Sequence, residues 1–336
     1  YPQPFETIPF PYPPVFALPF PLFARIPLPI SFGVWTLLNG AGLAGYILFF
    51  YRKVTGKTLP LRWTMVTLLS VPVSLNLLYG QINVFLAIGA GEFIRGMIEQ
   101  KPYRAGAWLA GMLLKPQTLV LLIPYLLLQR NWRALAGFAA SSAFVGLASF
   151  ALVGVQGLTS LANIVAGSAV GVSASHYEIM MNWRMIGTHI SWMTTPWIGS
   201  AVLIAGTLAT LAFTFKRLRL PDTADSTAWQ ITVLGILAAS GAVTWHAHFS
   251  MMIMLYPAFI TLAAEKRLST RFIGWWLFMP VFVMILIFIL AHFVNAKIFP
   301  PTFSDVQHLI TGSRGFVLNI ALLLWAAREA KAITTV

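Results

Sequence analysis

Residues 134–154 read ALAGFAASSAFVGLASFALVG, with no charge and no proline, and Arg130 and Arg133 stand just before them. A helix of that length rises about 30 Å, the thickness of a bilayer's hydrocarbon core. In lipid the backbone must satisfy its own hydrogen bonds, so only helices or closed barrels can cross. The run is continuous where a barrel strand would alternate, which selects the helix.

Similar runs lie at 30–50, 63–79, 83–94, 105–114, 117–128, 196–215, 229–243, 247–263, 272–294 and 315–328. Together they predict an all-α, polytopic transmembrane bundle of about eleven membrane helices, forming one integral membrane domain over 1–336. Composition agrees: 58% of residues are hydrophobic and 9% charged, with a mean hydropathy of +0.78. A soluble domain carries roughly a quarter charged residues. No cysteine is present, which excludes disulfide and thiolate chemistry.

The net charge of +13 does not indicate nucleic acid, because the basic residues cluster in short connections between apolar runs. Arg52, Lys53, Lys57 and Arg62 form one cluster; Arg95, Lys101 and Arg104 the next; then come Arg130 and Arg133. Lys216, Arg217 and Arg219 follow, then Lys266, Arg267 and Arg271, and last Arg328 and Lys331. These alternate connections hold 17 of the 22 Lys and Arg. By the positive-inside rule they are cytoplasmic. The inner connections are basic but otherwise plain.

Both flanks of 105–128 are basic, which predicts a hairpin turning at Lys115-Pro116-Gln117 within the membrane depth. Residues 1–30 hold ten of the 21 prolines. Proline fixes φ and removes a donor, so this stretch reads as an interfacial, extracytoplasmic segment. Residues 155–195 read as the longest non-helical connection, also outside.

Polar groups concentrate on the outer side: Gln81, Asn83, Lys115, Gln117, His176, Glu178, Asn182, Arg184, His189, Trp245, His246 and His248. Lys115, at a tip between apolar arms, needs an anionic partner or a route to the interface. Gly80-Gln81-Ile82-Asn83 offers amides to a sugar, or makes a tight turn with Asn83 capping the next helix. His246 and His248 stand at i, i+2, whereas helix-borne metal ligands prefer i, i+4. With Glu6, Glu178 and Asp305 the only outer carboxylates, no metal site is expected. Glu178 and Arg184 read as base and phosphate ligand, or as a local ion pair. No glycine-rich nucleotide loop occurs, and no cytosolic domain could hold one. An activated substrate must therefore arrive through or outside the membrane, as a lipid-linked donor does.

Tyr12-Pro13-Pro14 with Phe16-Ala17 and Pro21, Trp35 and Asn39, Gly80-Gln81-Ile82-Asn83, Lys115-Pro116, Arg130-Asn131-Trp132-Arg133, Asn182 with Gly187, and His246 and His248 before Pro257 occur in this order. The order resembles glycosyltransferase family 87, polyprenyl-phosphate-mannose-dependent α-mannosyltransferases of the GT-C type. The resemblance implies a GT-C-like helical fold in a bacterial plasma membrane, with its catalytic face extracytoplasmic. It implies transfer of a hexose, mannose in the family, from polyprenyl phosphate to a glycolipid or glycan hydroxyl, with inversion. The lipid-linked sugar is a co-substrate and no cofactor is expected. Lys115, Arg184, His246 and His248 are the expected ligands of the donor phosphate; Gln81, Asn83 and Asn182 are those of the sugar. The family's base is an Asp in the first outer loop. No Asp precedes Asp222 here, so that loop is expected upstream of Tyr1, with Glu178 as a weaker candidate base. Two other functions fit the same sequence: a flippase or transporter of lipid-linked sugars, and a polymerase or ligase of lipid-linked glycans.

Overall fold

The computed structural model of the chain describes residues 12–170, 180–279, 285, 289 and 303–334, without the side chains of 167–170, 303–312 and 333–334. The described residues are overwhelmingly helical. Residues Pro14–Ala17 and Phe20–Phe23 make short helical turns, and α1 (Leu28–Thr55) follows Pro27. It ends at Gly56, whose left-handed backbone (φ 72°) lets its N–H reach the Arg52 carbonyl at 2.9 Å. Then come α2 (Leu61–Leu69), α3 (Val71–Leu78) and α4 (Asn83–Ile98). Helices α5 (Pro102–Leu109) and α6 (Leu122–Leu128) enclose two 3-10 turns, Ala110–Leu114 and Pro116–Leu119. The rest are α7 (Trp132–Val170), α8 (Trp183–Met193), α9 (Pro196–Arg217), α10 (Ser226–Val243), α11 (Tyr256–Ala264) and α12 (Phe303–Thr334).

Among the described residues four helices are long and apolar enough to cross a membrane: Leu28–Thr55, Trp132–Ala166, Pro196–Arg217 and Ser226–Val243. Helices α2 and α3, bent by 55° at Ser70, make a fifth candidate. The run 315–328 lies within the long helix α12, and the remaining expected runs are mostly helical where described but short or broken. Proline and polar residues interrupt them: Ser70 is extended ahead of Pro72, and Lys115 ahead of Pro116. Residues 280–284, 286–288 and 290–294 of the 272–294 run lie outside the described residues.

Residues 155–195 correct the sequence reading. Helix α7 continues to Val170 through a break at Gly154 (φ 64°, ψ −167°), and α8 follows. The glycine takes a backbone that only a residue without Cβ adopts easily, so the helix restarts after it. Composition alone could not separate that restart from a loop.

The hairpin is present. Pro102 at the start of α5 and residues 129–133 after α6 line one cavity, so both arms begin and end at the same side, with Lys115 at the turn. Helix α5 packs against α7 through Gly106 and Gly137. A Cβ on Gly106 would lie 1.8 Å from the Ala134 carbonyl oxygen, and one on Gly137 would lie 2.0 Å from that of Tyr103. Small residues let backbones approach this closely, which is how helices gain contact in lipid.

Helix α10 is the central element, with 83% of its apolar window buried, whereas only 6% of the α7 window is. Phe144, Leu147, Phe150 and Leu152 on α7 are exposed, the face a bilayer would cover. Polar groups collect at two ends of the bundle. At one, Tyr51 and Lys57 both donate to Glu265 at 2.6 Å. Also at the far end of α4 from Asn83, buried Glu92 pairs with Arg95 and with Arg104 (2.8 Å), and Glu99 pairs with Arg95, Lys101 and Arg104. The basic connections are therefore not plain, because α4 supplies carboxylates that tie them down.

Gly106→Val is expected to destabilise the protein by about 1–3 kcal/mol through overpacking. Gly146→Val, where nothing lies within 4 Å, should change little. Thermal unfolding of both variants in detergent checks this.

Candidate active site

The segment between α3 and α4 is braced from three directions. Gly80 adopts φ 58°, and a Cβ there would also press on the Phe32 ring at 3.4 Å. The Gly80 carbonyl accepts from the Trp35 indole at 2.9 Å, and Phe20 and Phe23 pack on that indole at 5.1 and 5.8 Å. Asn76 supplies the third brace. Its backbone carbonyl accepts from Gln81 N–H at 2.8 Å, and its side-chain oxygen accepts from Asn83 N–H at 3.3 Å. Asn83 is therefore not the cap of α4; Asn76 takes that part from the preceding helix. The freed Asn83 amide donates instead to Ser250 Oγ at 3.2 Å.

Gln81 points at Lys115. The lysine Nζ donates to Gln81 Oε1 at 2.9 Å, and the lysine is 6% exposed. Pro116 disfavours helical backbone in the residue before it, and Lys115 sits at φ −140°, ψ 77°. That break turns the side chain out of the 3-10 stack, while the Thr118 hydroxyl holds the Lys115 carbonyl at 2.8 Å.

Two further segments complete the site. Residues 244–248 run extended, and His248 pairs antiparallel with Met180, with Met181 N–H donating to the Ala247 carbonyl at 2.9 Å. On extended backbone, residues two apart share a face. The His246 and His248 rings accordingly meet edge to face at 4.2 Å. Arg184, in the first turn of α8, donates to the Trp245 carbonyl at 3.2 Å. Asn182 caps α8, its oxygen accepting from Met185 N–H at 2.9 Å. That bond uses the Asn182 oxygen and positions Arg184, while the Asn182 side-chain nitrogen is buried without a hydrogen-bond partner.

His246 is held below its ordinary range, by burial first and then by the positive charges of Lys115 and Arg184. It thus lies in electrostatic reach of both, although the three are far apart along the chain. Lys115 makes no ion pair among the described residues; its side-chain partner is the Gln81 amide. His246 Nδ1 and the Asn83 side-chain oxygen are buried without a hydrogen-bond partner. Such atoms call for water or a ligand.

The structure therefore brings together Gln81 with Lys115, Asn83 with the segment after His248, and Arg184 with Trp245, His246 and His248. Gln117 is buried in the next turn, and His189 is buried in α8 with its ring 4.9 Å from Trp192. His176 and Glu178 lie outside the described residues. Among the described residues no three His, Cys, Asp or Glu side chains converge to hold a metal. Asn76 and Ser250 escaped the sequence reading. The i, i+2 histidine spacing, unsuited to a helix, was the available sign of extended backbone.

A cationic, carboxylate-poor site among membrane helices suits an anionic lipid head. The family model of glycosyltransferase family 87 matches residues 10–244. The chain is also 26% identical over 295 residues to a polyprenol-phosphate-mannose-dependent alpha-(1-2)-phosphatidylinositol pentamannoside mannosyltransferase of Mycobacterium tuberculosis, covering 82% of this chain and 64% of that protein. The chain thus spans a little under two thirds of that relative's length. No solved structure matches. The chain belongs to glycosyltransferase family 87.

Proposed function

We propose that the protein transfers mannose from polyprenyl-phosphate-mannose to a glycolipid hydroxyl, at the extracytoplasmic face of a plasma membrane. The observation that carries this reading is the convergence of Lys115, Arg184 and His246 without a carboxylate on the lysine. The relative's name, which specifies a polyprenol-phosphate-mannose donor and a phosphatidylinositol mannoside acceptor, supports the substrate class. The GT-C type, a count of about eleven membrane helices and the orientation belong to the same proposal, and the alternating basic connections and the family membership support it.

The chemistry is a single displacement. A carboxylate takes the proton of the acceptor hydroxyl as general base. The acceptor oxygen bonds to the anomeric carbon on the face opposite the phosphate, the carbon–oxygen bond to phosphate breaks, and configuration inverts. Polyprenyl phosphate departs with one more negative charge. Lys115, Arg184 and one of His246 and His248 stabilise that charge in place of a general acid. Gln81 and Asn83 orient the sugar. Gln81 gives up its lysine contact when phosphate binds, which frees its amide for a sugar hydroxyl. The base is the Asp that the family places in its first outer loop, or Glu178, two residues from Met180 in the sequence.

A transfer assay tests this, with the protein and any upstream residues reconstituted in lipid and supplied with radiolabelled polyprenyl-phosphate-mannose and membrane glycolipids. Label should move to a more polar lipid, and Lys115→Ala should lower kcat/KM by about 100–1,000-fold, as loss of one charge-stabilising donor does. Protein-dependent flipping of the donor without transfer would replace this reading with the flippase.

A further inference from the structure

The strongest feature left over is a cleft at the end of the bundle away from Lys115. It holds about 430 Å³ and is lined by Gln100, Arg130, Asn131, Arg133 and Asp222, among others. Helix α4 runs from Asn83, beside the active site, to Ile98 near this cleft, a rise of about 22 Å. The cleft is therefore a separate place.

Two of its residues close helices. Arg130 and Gln100 adopt a left-handed backbone, at φ 55° and 58°. Arg130 N–H donates to the Leu127 carbonyl and Asn131 N–H to that of Leu126, while Gln100 and Lys101 do the same to Met97 and Gly96. This ordinary helix ending turns both residues into the cleft. Arg133 is the second residue of α7, where the helix dipole disfavours a cation. Orientation by the positive-inside rule asks only for charge somewhere in this connection, not for a cation at the start of α7. Among the described residues neither arginine side chain has a hydrogen-bond or ion-pair partner, in contrast to Arg95 and Arg104 nearby.

The surroundings select among anions. Leu127, Leu128 and Trp132 beside the arginines are exposed, Leu128 at 69% and Trp132 at 61%. An apolar lip with an indole at its edge suits acyl chains and the interface rather than free phosphate. Asp222, Gln100 and the Asn131 side-chain nitrogen add polar groups to the same lining, a match for hydroxyls on a headgroup.

We propose that this cleft binds the headgroup of an anionic, hydroxyl-bearing phospholipid, its phosphate on Arg130 and Arg133 and its hydroxyls toward Asp222. The lipid docks the start of α7 and the end of the α5–α6 hairpin to the leaflet opposite the transfer site.

The test is thermal unfolding of the full chain in neutral detergent with dihexanoyl phosphatidylglycerol added. Saturating lipid should raise the melting temperature by about 3–5 °C. Arg130→Asn with Arg133→Gln should remove most of that rise; asparagine tolerates the left-handed backbone, and loss of Arg133 relieves the dipole, so the unliganded protein should still fold. Lys115→Ala should keep the rise in full. An unchanged rise in the double variant overturns the proposal. So does an equal rise with inorganic phosphate, which makes this a soluble-anion site, or with dihexanoyl phosphatidylcholine, which makes it headgroup-blind. Should the double variant melt lower unliganded, Arg133→Gln alone decides by the same comparison.

Discussion

An ammonium taken out of water needs a partner, and Lys115 has an amide oxygen where a carboxylate would be the strong choice. Desolvating an ion costs several kcal/mol even after relaxation. A single neutral hydrogen bond offsets only part of that. The site therefore stays short of negative charge until something supplies it, and the fold around it preserves that shortage. Proline breaks the hairpin so that the lysine leaves the helical stack. Asn76, Trp35 and the left-handed Gly80 fix the turn that carries Gln81. A short antiparallel pairing holds His246 and His248 with Arg184 alongside. A carboxylate in reach of Lys115 would give a more stable resting protein and a poorer anion site.

The opposite end of the bundle follows the other policy. There Glu92 and Glu99 neutralise Arg95, Lys101 and Arg104, and Glu265 holds Tyr51 and Lys57. Removing one member of the Glu92 network leaves a buried charge unpaired, the costly case. The Glu92 and Glu265 networks are thus closed electrostatically, and the Lys115 site is left open. Between them the interior is apolar, with α10 at its centre and close glycine contacts joining α5 to α7.

Much of this was legible in the sequence because lipid leaves few options. Charge clusters placed the connections, and the equal basic flanks of 105–128 disclosed the hairpin. Four of the expected phosphate ligands belong to one region because each was a polar group that an apolar helix end had to justify. What stayed hidden depended on backbone conformation or on contacts between distant segments. Residues 155–170 looked like a loop because their composition is mixed, while only Gly154 breaks the helix. Asn182 also caps α8, a part that no spacing disclosed. Asn76 gave no sign, since its partners lie five and seven residues on, across a turn whose shape no pattern encodes. Glu92 went unread inside its apolar run, because its partner Arg104 sits on another helix.

The order of the site's parts along the chain has its own consequence. Gln81 lies 34 residues before Lys115, while Arg184 and His246 come later. During synthesis the acceptor for the ammonium is thus in place before the hairpin carries its charge inward. The repelling cation, Arg184, joins only after that pair can form. A rearranged chain with the 180–184 segment placed ahead of the hairpin would hold the same native contacts. It would, however, have to insert Lys115 against an existing positive charge. The stepwise path into the membrane, as much as the finished fold, favours the order that this sequence has.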